Sequence, residues 1–161
     1  MNVLRQPVRE VRNMSRKVLV LWRAAADPYV SVQTSLAEER WCAEEYLGNG
    51  AFGGPTLYRA KVVIDDDRVL DLTGPRFWAR LSKAIGRKLD PASYGYQEAQ
   101  AVANDSDIAE ELEAAGYHWV RFEDDFPDGC VTWLPQSLEA SDATEEAMKK
   151  LRKPAAKKGS R

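Results

Sequence analysis

The chain has 161 residues, 44% hydrophobic and 30% charged, with a formal net charge of −2; this suits one domain with a buried core and offers no apolar run long enough to span a membrane. The near-neutral total hides a segregation: six Lys/Arg against one Asp/Glu in residues 1–23, ten against twenty-four in 24–148, and seven against none in 149–161. A body of about −14 between basic ends repels phosphate backbones, which disfavours a nucleic-acid groove and leaves a basic protein partner or mimicry of nucleic acid.

The first stretch, MNVLRQPVREVRNMSRK, carries basic residues without a following apolar run, so it reads as an arm rather than a secretory signal. VLVLW at 18–22 is a short β-branched run expected as a buried strand, ending on Arg23. Tyr29-Val30-Ser31-Val32 alternates and predicts a second strand. Ser35 opens S-L-A-E, a capping box with Glu38, so a helix is expected from Ser35 to the Gly48-Asn49-Gly50 stop. LYRAKVVI and VLDLT flank the acidic turn Asp65-Asp66-Asp67 and predict a hairpin. Pro75 suits the first position of a helix over PRFWARLSKAIGRK. Residues 98–115 predict a helix with a new start at Asp105 or Ser106, ended by Gly116. YHWVRFE and CVTWL predict a hairpin, and a last helix over 141–153 is expected to be capped by Ser141 and followed by a solvated tail, PAAKKGSR.

The expected division is an arm (1–17), a body (18–140) and a helix with a basic tail (141–161). Helical blocks separated by hairpins predict an α+β fold. An arginine at a strand end facing the helix start Thr34-Ser35 suits an anionic ligand: Arg offers a fork of donors, and a helix N-terminus adds unpaired N–H groups. The acidic turns are expected to be solvated rather than metal-binding, and His118, the single histidine, to be structural or exposed. Cys42 and Cys130, too few and too distant for a disulfide framework, are expected as reduced thiols in a cytoplasmic protein.

The order of motifs Leu21-Trp22-Arg23, Tyr29 to Ser35, Ala43-Glu44-Glu45-Tyr46, Leu57-Tyr58-Arg59 and Val69-Leu70-Asp71-Leu72, closed by Gly116-Tyr117 and the hairpin 118–134, resembles the ADP-ribosyltransferase family. The resemblance covers most of residues 18–138. It implies two small antiparallel-rich sheets around a cleft with flanking helices, NAD as substrate, and transfer of ADP-ribose to a protein side chain. Small relatives of that kind include bacterial toxins and phage-encoded inhibitors of host defence. By the same resemblance Arg23 holds phosphate or ribose, and the Ala24 backbone and Ser31 belong to the NAD site. Thr34 and Ser35 bond the nicotinamide ribose or orient the acid, and Tyr46 or Trp41 packs on the nicotinamide. The family often has glycine where Ala24 stands. Its catalytic glutamate falls near Gly129 or Cys130, where this chain has no acid, so Asp128, with Asp125 as alternative, is the expected carboxylate. The departure keeps a second expectation open, a non-catalytic acidic binding or inhibitor protein on the same fold.

Overall fold

The structure is a computed structural model that describes residues 16–49, 53–94, 105–124 and 129–159, the last nine as backbone alone. It is α+β. Six strands form one sheet in the order β3-β1-β2-β6-β5-β4: β1 (Arg16–Ala25), β2 (Leu36–Ala37), β3 (Thr56–Asp65), β4 (Val69–Asp71), β5 (Trp119–Glu123) and β6 (Val131–Pro135). Every neighbouring pair is antiparallel except β4 with β5. The expected two sheets are therefore one. The two-residue β2 joins them, its Ala37 opposite Trp22 of β1 and its Leu36 opposite Trp133 of β6. A strand that short has no periodicity to read.

The described helices are α1 (Arg40–Glu44), α2 (Phe77–Ile85), α3 (Ser106–Ala114) and α4 (Leu138–Gly159). α2 and α3 cover one sheet face, where Leu81, Ile108 and Leu112 meet Leu70, Val120, Phe122 and Leu134. α4 covers the opposite face, where Met148 and Ala140 join Leu21, Tyr58, Ala60, Val62, Ile64 and Trp133. Period-two alternation produces this split: in β5, Trp119 faces α4 while Val120 and Phe122 face α2 and α3. Each fully buried side chain of this size contributes about 1.5–3 kcal/mol.

Several expectations are corrected. β3 does not pair with β4; it runs along β1 over ten residue pairs, from Arg16 opposite Asp65 to Ala25 opposite Thr56. The Asp65 side chain accepts from the Asp67 N–H at 3.1 Å and starts a 3₁₀ turn, Asp66–Arg68, that carries the chain to the far edge. Residues 29–32 form no strand, because no neighbour offers them a ladder. The loop instead turns at Gln33, whose φ is 70°. Ser35 caps no helix: Leu36 and Ala37 are extended, and α1 begins only after Glu39, which makes no side-chain cap. α2 begins after Arg76 at φ 66°, so Pro75 lies before the helix rather than in its first turn. Asp105 caps α3 as expected, accepting from the N–H groups of Asp107 and Ile108 at 2.8 and 3.2 Å; residues 98–104 lie outside the described residues.

α4 starts at Leu138, ahead of the expected cap at Ser141 and across the expected 140/141 boundary. Ser137 supplies the cap, its Oγ accepting from the Ala140 N–H at 3.1 Å, while the buried Ser141 bonds back to the Leu138 carbonyl. The helical backbone continues through Pro154 to Gly159, where a solvated tail was expected.

Phe122 is fully buried between the sheet and α2–α3. Phe122→Ala should lower unfolding free energy by about 3–5 kcal/mol in a denaturant titration. A loss below about 1 kcal/mol would mean that this sheet face is not closed by the two helices.

Candidate functional site

β1 ends in Trp22-Arg23-Ala24-Ala25, and the chain then turns at Ala26 and Asp27 into the loop that leads to β2. This strand end and loop enclose a cleft of about 730 Å³. That is within the usual range for small-molecule sites. Arg23, Ala24, Ser31, Thr34, Ser35 and Tyr46 all line it. Asp125 and Asp128 lie outside the described residues, and Trp41 is not part of the lining. The cleft adds Asp27, Tyr29, Gln33, Asp124 and Thr132, which sequence reasoning did not select.

Arg23 donates from Nη1 to the Ser35 carbonyl at 2.8 Å, and its buried Nε has no hydrogen-bond partner. Burial pushes its pKa down and the Asp27 carboxylate pulls it partly back. Guanidinium stays protonated in proteins, so the cleft contains a fixed, under-bonded cation. Ala24 is buried in the ladder opposite Leu57.

The loop is held at several points. Ser31 N–H donates to Thr34 Oγ1 at 2.9 Å, Thr34 N–H returns to the Ser31 carbonyl at 3.0 Å, and the two hydroxyls lie 3.1 Å apart. The Val30 N–H donates to Glu145 of α4 at 2.9 Å, and Gln33 bonds the Asp105 carbonyl and, through its own N–H, that of Pro135. These bonds replace the helix cap expected at Thr34-Ser35. Two glycines close the base by close approach: a Cβ on Gly53 would sit 2.1 Å from the Tyr46 carbonyl oxygen, and one on Gly54 2.2 Å from the Ala25 backbone.

On the other wall stand Tyr46, in the turn after α1, and Asp124 at the end of the β5–β6 hairpin. The Thr132 hydroxyl donates to Asp124 Oδ2 at 3.1 Å, and Asp124 N–H donates to the Cys130 carbonyl at 2.8 Å. Burial, then the Asp124 charge, raises the Tyr46 pKa. Asp124 was visible in the sequence only as one member of an acidic run; the strand register singles it out.

This wall is held together covalently. Cys42 of α1 and Cys130 form a disulfide with Cα atoms 6.0 Å apart, bridging 88 positions of sequence. This corrects the expected reduced thiols and removes one ground for a cytoplasmic setting. Neither spacing nor count announces such a pair; only the meeting of α1 with the start of β6 does. No described helix is long and apolar enough to cross a membrane.

Beside β2, Arg121 of β5 donates to Glu38 through Nε at 2.9 Å and Nη2 at 3.3 Å, and to Asp71 of β4 through Nη1 at 3.0 Å. Trp133 Nε1 donates to the same Glu38 oxygen at 3.0 Å. The residue expected in a capping box is thus an anchor between strands. Arg121 hydrogen bonds hold the Glu38 carboxyl below its usual range; burial opposes this and Trp133 assists. Burial alone would raise Asp71, but its bonds to Thr73 and Arg121 leave it lowered.

Protein-family models, curated proteins and solved structures were compared with the chain, and none matches.

A carboxyl with a depressed native pKa stabilises above its unfolded pKa, and that stability is lost as pH falls through the native value. Glu38→Gln should therefore lower Tm at pH 7 and soften the fall of Tm below about pH 4.5. Equal acid slopes in wild type and variant would contradict the assignment of Glu38 as an ion-paired anchor. Replacing both cysteines with serine should cost about 2–4 kcal/mol of stability, read by denaturant titration under oxidising conditions. No loss there would mean that α1 and the β5–β6 hairpin hold together without the bond.

Proposed function

We propose that the cleft is the NAD site of a mono-ADP-ribosyltransferase acting on a protein side chain. The observation that carries this reading is the convergence of Arg23, Ala24, Ser31, Thr34, Ser35 and Tyr46, chosen by resemblance, on one cleft that also contains a carboxylate, Asp124. In this reading the Arg23 guanidinium holds the diphosphate or the adenine-side ribose. The Ser31, Thr34 and Ser35 hydroxyls bond ribose, and the Tyr46 ring packs on nicotinamide.

The transfer breaks the bond between nicotinamide nitrogen and ribose carbon. The electron pair leaves with nicotinamide, the ribose takes on oxocarbenium character, and the target's nucleophile closes the new bond while losing its proton. Positioning and fixed charge do most of this work. Asp124, oriented by Thr132, is the acid assigned here to the 2′-hydroxyl or to the incoming nucleophile. Asp128 and Asp125, the carboxylates expected in this role, lie outside the described residues. A second reading, an acidic inhibitor without catalysis, is favoured by one observation: Cys130, near the position of the family's glutamate, is spent in a disulfide.

Wild-type protein should gain thermal stability with millimolar NAD, because a ligand of the native state stabilises it by mass action. Arg23→Ala should abolish that gain. Asp124→Asn should keep it but reduce labelling of a target band, from labelled NAD in a cell lysate, by at least about a hundredfold. Absence of both the thermal shift and any labelled band in wild type would replace the enzyme reading with the inhibitor reading.

A further inference from the structure

α4 covers one face of the β1–β3 pair; among the described residues the other face is covered only at its Trp22 end, where α1 packs on β1. The open face is read from register and burial. Trp22 stands opposite Arg59, Val20 opposite Lys61, and Val18 opposite Val63. Arg59 and Lys61 are exposed, while their neighbours Tyr58, Ala60 and Val62 are buried. The valine pair is 53% and 66% exposed, a solvated apolar contact with no described cover. The guanidinium carbons of Arg40 and Arg59 lie 5.4 and 5.9 Å from the Trp22 ring centroid.

This surface runs against the charge of the body. Among the described residues Arg59 and Lys61 have no ion-pair partner, whereas Arg40 is paired with Glu44 at 3.3 Å and Lys17 with Asp66 at 2.9 Å. β3 is also the last strand of the sheet, and no described strand pairs with its outer edge. An open ladder beside two unpaired cations and an exposed valine accepts an added strand whose alternate side chains fall on that face.

We propose that this edge docks an extended acidic segment of a protein partner, which pairs with β3, sets carboxylates against Arg59 and Lys61 and an apolar side chain against Val63. Trp22 belongs both to this face and to the cleft lining, so the docked segment lies beside the cleft. The inference stands on the surface itself and holds whatever chemistry the cleft performs. A single nucleic-acid strand fits less well. Its binders use free aromatic platforms, and two guanidiniums already lie over Trp22. The acidic body also repels phosphate, and the valine pair has nothing to offer a sugar-phosphate chain.

The test uses a fluorescein-labelled peptide of about ten residues, with Glu, Glu and Val at three successive alternate positions and Thr between them, and full-length protein, followed by fluorescence anisotropy. Binding is expected at low salt, weakening as salt rises from about 20 to 300 mM. Arg59→Glu with Lys61→Glu should weaken it by at least about tenfold with Tm retained. Arg59→Ala with Lys61→Ala should give a smaller loss of the same sign and serves if the reversal variant does not fold. The same peptide N-methylated at every central residue should bind more weakly, because neither of its edges can then donate to the ladder. No binding at low salt, equal binding by the charge variants, or equal binding of the N-methylated peptide would overturn the proposal. So would tighter binding of a labelled thymidine oligonucleotide of about fifteen nucleotides, which would make the partner a nucleic acid.

Discussion

Two residues, Leu36 and Ala37, join the β3–β1 pair to the β6–β5–β4 group, and Glu38 beside them is gripped by Arg121 and Trp133. A strand of two residues contributes too little ladder to hold such a junction, so the stability comes from side chains. Leu36 is fully buried against Trp133, and the Glu38–Arg121–Asp71 cluster spans β2, β5 and β4. Arg121 and Glu38 are both half-buried, and Trp133 supplies an additional donor, so the pair is better satisfied than an exposed ion pair. The cleft inherits its geometry from this junction. Arg23 sits one residue beyond the β1 position that pairs with β2, and Ser35, whose carbonyl it bonds, sits one residue before β2.

The cleft is polar and its contents are held rather than loose. Its loop is hydrogen-bonded to α4, to the cap of α3 and to the end of β6, and its far wall is a disulfide-linked contact between α1 and the hairpin. Such pre-organisation lowers the entropy lost when a ligand is ordered. The lining carries one cation, Arg23, and two carboxylates, Asp27 and Asp124, from different elements. Charges of both signs in one cleft suit a ligand with an anionic part and a polar or cationic part.

Charge is distributed on two scales. The body is strongly acidic, which keeps nonspecific polyanions away, yet the open end of the sheet beside the cleft collects Arg59, Lys61 and the Trp22 cluster. A local basic patch on an acidic protein selects partners by shape as well as by charge, since long-range attraction is absent and only a segment that reaches the patch is rewarded.

What could be read along the chain were features of local origin. β1, β3 and the β5–β6 hairpin follow from β-branched and aromatic alternation, α3 from the Asp105 cap, and the α+β class from their order. Arg23, Thr34, Ser35 and Tyr46 line one cleft once β1 and its loop are placed, while Trp41 stays out of it. What failed were the features that depend on a distant neighbour. Glu38 satisfies every local requirement of a capping box, but Arg121, 83 positions away, binds it as an anchor. Residues 29–32 alternate like a strand but have no ladder, while Leu36 and Ala37 have one without alternation. Cys42 and Cys130 look like isolated thiols until α1 meets β6. The sequence by itself determined the elements whose stability is local, together with the strand-end arginine and the charge segregation. Only the tertiary structure decided the single sheet, the disulfide and Asp124 in the cleft, because each needs residues far apart in sequence to be brought within bonding distance.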